Sequence, residues 1–233
     1  MKRSQINKEI LFARRILEEN FFHLPKLAYF DKQEWLKRKN EQKIAIANGM
    51  GWDITDYGQG RFDEFGLCVF TLRNGNLDPK KSLITYSEKV LVMKPGQRLP
   101  LHMHVTKIED IINRGLGTLV IQLYNSIDEY TVDYESDVTI FFDAVEKRLK
   151  AGEIVELSPG ESVTITPGHY HKFWAKAEDG ILICGEISTI NDDLRDNRHV
   201  EKITRFIEIE EDEEPIGLLK NEYERLLDLH KKV

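Results

Sequence analysis

At 233 residues, with 41% apolar and 31% charged side chains, the chain is long enough for one large domain or two small ones and has the apolar mass for a packed core, which excludes a disordered or fibrous polypeptide. Forty acidic against thirty-three basic residues leave a net charge of −7 with no segregated basic face, so a polyphosphate would be repelled and no nucleic-acid partner is expected. Residues 1–20 lack a leader pattern and no stretch approaches 18 apolar residues, which reads as a cytoplasmic protein without a membrane partner.

Ile6, Ile10, Ile16, Leu17 and Phe21 recur near a 3.6-residue period, predicting an amphipathic helix that ends before Pro25. Asp31 with Glu34 three residues on resembles a capping box, and Trp35, Leu36, Ile44 and Ile46 extend a second helix to Gly49, so that residues 1–50 form a helical N-terminal extension. From Trp52 the pattern changes to short β-branched and aromatic runs bounded by Gly, Asn, Asp and Pro. Strands are expected at 66–72, 82–93, 99–104, 109–113, 118–124, 138–142, 154–157, 162–166, 170–175 and 181–187. The connections are too short for parallel crossovers, so residues 52–210 are expected to form an antiparallel β-barrel or sandwich, an all-β dominated fold with helical ends. Cys68 and Cys184, 116 positions apart, read as two reduced, buried thiols. The acidic run at 208–214 reads as a solvated connector, and residues 215–233 as a closing helix with Leu218, Leu219, Tyr223, Leu226, Leu227 and His230 on one face. No repeat or flexible linker divides the chain, which is expected to be a single domain over residues 1–233.

Four of the seven histidines lie in two His-X-His pairs, His102/His104 and His169/His171, where composition alone gives about 0.2 such pairs. Residues two apart on a strand face the same way, so His102 and His104 aim two imidazoles into one volume, a natural pair of metal ligands. Glu109 stands five residues further, an odd offset, and reaches the same place only if residues 105–107 bend. A charged neighbourhood of Lys94, Lys107, Glu186 and Asp193 favours a polyhydroxylated ligand over an apolar one. Asp192, Asp193, Asp196 and Arg198 form a polar cluster after the last expected strand, and His23, His199 and His230 show no partner pattern.

Gly96, His102, His104 and Glu109 have the spacing of the first cupin motif, and residues 160–171, where the Pro167-Gly168 turn is followed after two residues by His171, resemble the second, so that His171 and not His169 completes the set. Gly115 comes one position early, and Ala175 stands where an asparagine is expected. The stretches 99–115 and 185–193 resemble the D-lyxose isomerase family over residues of about 25–210. That resemblance implies a double-stranded β-helix, a metal site of His102, His104, Glu109 and His171, and a manganese-dependent homodimer interconverting D-lyxose with D-xylulose and often D-mannose with D-fructose. The ligand types alone also fit Co, Ni, Zn or Fe. Within it, Glu186 is the candidate base for transfer between C1 and C2, Lys107 and Lys94 are candidate donors to O1 or O2, and Asp193 and Arg198 are candidates for the distal hydroxyls. An Fe(II) dioxygenase and a non-catalytic sugar-binding protein are the alternatives for the same ligand set.

Overall fold

The 3.6-residue pattern at the start of the chain folds as α1 (Arg3–Glu19), which buries Ile6, Ile10, Ala13, Ile16 and Leu17 along one face. The computed structural model describes residues 1–78, 80, 82–193 and 195–227, apart from the side chain of Leu226. Asp31 caps the next helix by accepting a hydrogen bond from the Glu34 backbone N–H, but the helix stops early. Instead of one helix there are two, α2 (Lys32–Arg38) and α3 (Lys43–Ala47). Residues 37–43 contain no apolar side chain, so nothing anchors a helical turn there to the core, and the chain turns.

All ten expected strands are present, with ends shifted by a few residues. The set is β1 (Gly51–Thr55), β2 (Leu67–Asn74), β3 (Tyr86–Met93), β4 (His102–His104), β5 (Glu109–Leu116), β6 (Leu119–Ser126), β7 (Val132–Asp133), β8 (Val138–Phe142), β9 (Val145–Leu149), β10 (Ile154–Leu157), β11 (Ser162–Ile165), β12 (His169–Ala175), β13 (Leu182–Thr189) and β14 (Asn197–His199). β1, β7, β9 and β14 were not expected. β7, β9 and β14 are short or charged, and pairing with a neighbour rather than their own apolar pattern makes them strands, whereas β1 buries Trp52 and Ile54 on one face.

The strands form two antiparallel sheets, one ordered β1-β2-β3-β13-β5-β11-β8-β9 and the other β10-β6-β12-β4-β14, with β7 beside β6. They close on each other as a curled antiparallel barrel, filled by residues such as Val69, Leu91, Ile111, Ile121, Phe173 and Cys184. β2 is buried on both faces. Leu67 and Val69 point into the barrel, while Cys68 and Phe70 meet α1, which explains its unbroken apolar run. Both thiols are free and buried.

The C-terminal segment differs from expectation. Leu218 and Leu219 are buried, but Leu219 is extended and bridges Trp52, and helix begins only with a 3-10 turn at Lys220–Glu222 followed by α4 (Tyr223–Leu226). His230 and the rest of the expected helix lie outside the described residues. The acidic run is not a free connector. Its Glu211 carboxylate takes two N–H groups of Arg3 at 2.8 and 2.9 Å, and Asp212 accepts from the Ser4 backbone N–H at 2.8 Å. Carboxylates are thereby gathered at the positive N-terminus of α1. No helix among the described residues is long and apolar enough to cross a membrane.

Candidate active site

β4 lies between β12 and β14 in the smaller sheet, and cross-strand pairing sets His102 opposite both His171 and His199. The approach to β12 is a turn through Gly168, whose φ of +85° is a conformation that glycine adopts without strain. Residues 105–108 bend away from β4, so Glu109 begins β5 in the larger sheet and reaches back across the barrel end. The expected bend is therefore the link between the two sheets.

His102, His104 and His171 bring ligand nitrogens within 4.8 Å of one another. Glu109 Oε1 is 3.3 Å from His104 Nε2 and 2.9 Å from His171 Nε2. Two rings are held by their other nitrogen, His102 Nδ1 2.9 Å from the Pro100 carbonyl and His171 Nδ1 3.1 Å from the His169 carbonyl, while His104 Nδ1 stands 3.1 Å from Asp196 Oδ2, a charge contact without hydrogen-bond geometry. A proton on each Nδ1 leaves each Nε2 lone pair free to bind a cation. His104 Nε2, His171 Nε2 and Glu109 Oε1 are all buried without a hydrogen-bond partner among the described residues. A buried donor set of this kind fits a divalent metal.

Behind the ligands runs a chain of buried charges. Lys107 Nζ sits 2.6 Å from Glu109 Oε2 and 3.0 Å from Glu186 Oε1, and Lys89 Nζ reaches the same Glu186 oxygen at 2.9 Å and Asn191 Oδ1 at 2.6 Å. Burial pushes the Glu186 carboxyl towards its neutral form, but Lys107 and Lys89 outweigh it and hold its pKa below the usual carboxylate range. Glu186 Oε2 takes no hydrogen bond from the described residues. The same cavity is lined by Asp53, Asp193, Arg205 and Lys220, with Arg205 Nη2 2.5 Å from Asp53 and Lys220 Nζ 2.9 Å from Asp53 and 2.5 Å from Asp193.

The structure thus brings together His102, His104, Glu109, Lys107, Glu186 and Asp193 around one cavity, with His171 buried behind it within reach of His102, His104 and Glu109. Two expected contacts it does not bring there. Lys94 turns to the face covered by α1, where Glu9 at 2.7 Å and Asp63 at 2.6 Å hold its ammonium. Arg198 alternates outward from Asn197 and His199 on β14, pairs with Glu129 and lies over the Tyr130 ring. Asp196, grouped from sequence with sugar-binding residues, instead orients His104 and accepts from the Thr106 backbone and hydroxyl at 2.7 Å.

Several cavity residues escaped the sequence reading. His199 stacks on His102 with ring centroids 5.4 Å apart, and burial together with the Arg205 charge lowers its pKa to about 4. Asp53, Arg205 and Lys220 come from three separate segments. For Lys89 a signal existed, since it shares the inward face of β3 with Leu91 and Met93, and a lysine on an inward face wants a partner.

A family model described as D-lyxose isomerase matches residues 1–223. The D-lyxose/D-mannose isomerase of Escherichia coli O157:H7 is 39% identical over 225 residues, covering 96% of this chain and 98% of that protein. Its counterpart from Serratia proteamaculans is 38% identical over 229 residues, 97% of this chain and 100% of that one. Among solved structures, a mutant L-ribose isomerase of Acinetobacter sp. DL28 in complex with L-ribose aligns over 90% of this chain and 98% of its own, with a TM-score of 0.59 at 14% identity, a likeness of fold.

Proposed function

The chain belongs to the D-lyxose isomerase family, and from that premise we propose that it interconverts D-lyxose with D-xylulose, and D-mannose with D-fructose, at a divalent metal held by His102, His104, Glu109 and His171. The observation that carries this reading is the set of buried, partnerless atoms His104 Nε2, His171 Nε2 and Glu109 Oε1 directed at one point beside a carboxylate kept ionised. Manganese is the proposed ion, on the family likeness. When bound, it would supply Lewis-acid polarisation of the sugar carbonyl and offset charge developing on O1 and O2.

Glu186 is the proposed base. Lys89 and Lys107 occupy its Oε1 and keep it anionic, so Oε2 can take the proton from C2 of the aldose and return it to C1 of the ketose. Lys107 spends two N–H groups on Glu109 and Glu186, and its third is proposed to donate to O1 or O2. Asp193, Asp53, Arg205 and Lys220 present charged donors and acceptors to the same cavity, chemistry that suits hydroxyl groups and that an oxygenase with an apolar substrate would not use. The same reading makes the protein a cytoplasmic homodimer, for which light scattering should give twice the chain mass of 27.2 kDa.

The test is ketose formation from D-lyxose, D-mannose, D-xylose and D-ribose by metal-stripped protein with and without added Mn²⁺. Turnover of lyxose and mannose should return with the metal. His104→Ala should lose both metal and activity, whereas Glu186→Gln should keep the metal and lose about 10²- to 10⁴-fold in kcat. Metal-loaded wild-type protein that turns over none of the four sugars would overturn the proposal.

A further inference from the structure

Beside the cavity lies a second, wider opening, a cleft between α3, the segment after β2, the residues after β13 and the C-terminal segment. The cavity has about 60 Å³ of free volume and the cleft about 930 Å³. Asn191, Asp193 and Lys220 line both, so these three side chains are the partition between them. Asn191 is pinned from two sides, its backbone N–H donating to Asn74 Oδ1 at 3.0 Å and its side chain accepting from Lys89 at 2.6 Å. Lys220 is held differently. Its long stem crosses from the C-terminal segment, and only its ammonium is tied, to Asp193 at 2.5 Å and Asp53 at 2.9 Å.

Resting on the proposed aldose–ketose activity, we infer that Lys220, with Asp193, is a specificity-determining barrier that limits the length of the aldose. The metal ligands, Glu186 and Lys220 line one cavity, and Lys220 also lines the cleft, so an aldose held there at C1 and C2 meets the Lys220–Asp193 pair where the small cavity adjoins the larger space. Beyond that pair the cleft offers the amides of Asn40 and Asn221, both exposed, as partners for further hydroxyls. Removing the lysine stem joins the two spaces, and the reaction remains the same hydrogen transfer between C1 and C2.

D-Lyxose, D-mannose and D-glycero-D-manno-heptose share their configuration from C1 to C4 and differ only in length, which makes them the probe series. In the wild type, kcat/KM should fall at least tenfold from mannose to the heptose. Lys220→Ala should raise the heptose-to-lyxose ratio of kcat/KM about tenfold, whereas Lys220→Met, which keeps the stem and removes the charge, should leave the ratio low. Should Lys220→Ala fail to fold, the double variant Lys220→Ala, Asp193→Ala removes a matched pair, leaves Asp53 with Arg205, and should give the same rise. A wild type that turns over the heptose as well as mannose, or a ratio unchanged in the folded variants, overturns the inference. A wild type inactive on lyxose and mannose overturns the proposed function instead, so the two failures are distinguishable.

Discussion

The three imidazoles of the candidate metal site differ in what fixes them. His102 and His171 lean on backbone carbonyls that no substitution removes, whereas His104 depends on one side chain, Asp196, itself locked by two hydrogen bonds from Thr106. Burial would raise the Asp196 carboxyl, but His104 and Thr106 drive its pKa far down, so it stays an anion 3.1 Å from His104 Nδ1 and favours a proton on that nitrogen. Asp196→Asn should therefore weaken metal affinity about 10- to 100-fold with little change in fold. A competition titration against a chelator measures it, and unchanged affinity would show that something else sets the tautomer of His104. How visible such residues are in sequence follows from how local their geometry is. His102 and His104 are legible because a strand repeats every two residues, and Glu109 is legible through motif spacing although a straight strand would turn it away. Asp53, Lys89, Arg205 and Lys220 meet only after two sheets and the C-terminal segment have closed, and no spacing encodes that meeting. Lys94 and Arg198 show the opposite error, since nearness in sequence to a motif gave no information about which face of a strand a side chain takes.

Among elements, the ones with their own periodicity were readable and the ones made by their neighbours were not. α1 and the ten expected strands carry apolar patterns matched to their periods, while β14 is three polar residues that become a strand by pairing with β4. The acidic run and the C-terminal turn likewise make sense only beside α1. Arg3, on the first turn of α1, is fully buried between Glu211 and Glu222, and its charge is what permits Glu222 to be buried. Arg3→Met keeps the length and removes the charge, leaving the Glu222 carboxylate with the Leu219 backbone N–H at 2.9 Å and, as its cation, the exposed Arg225 at 3.2 Å. Loss of one partner from a buried pair costs about 3 to 5 kcal/mol. Urea unfolding should show a loss of that order, and a loss below about 1 kcal/mol would mean that the two chain ends are joined chiefly by the apolar contacts of Leu219 with α1.

On the scale of the whole molecule, the cavity wall doubles as a clasp. Asp53 comes from β1, Asp193 from the segment after β13, Arg205 from the return of the chain across the barrel, and Lys220 from the C-terminal segment, so four distant parts of the sequence meet in one neutral set of two anions and two cations. Burial disfavours the charged form of both aspartates, but Arg205 and Lys220 more than offset it and hold both pKa values below the usual range. A carboxyl with a lower pKa in the folded than in the unfolded chain stabilises the fold fully above its unfolded value of about 3.9, and that stabilisation is lost as pH falls through the folded value. Stability from this source should therefore be flat from pH 7 to about 5 and decline below about 4, the reverse of what a histidine gaining a carboxylate partner would give. Protonation would leave Arg205 and Lys220 as buried cations facing each other, so the clasp should open at the wall proposed to bind the sugar, where the C-terminal segment docks. Asp53→Asn has no charge there to lose. It should be less stable than wild type at pH 7, and its urea midpoint should fall less between pH 5 and pH 3. Parallel acid curves for the two proteins would place the acid sensitivity elsewhere among the carboxylates and detach it from the wall of the cavity.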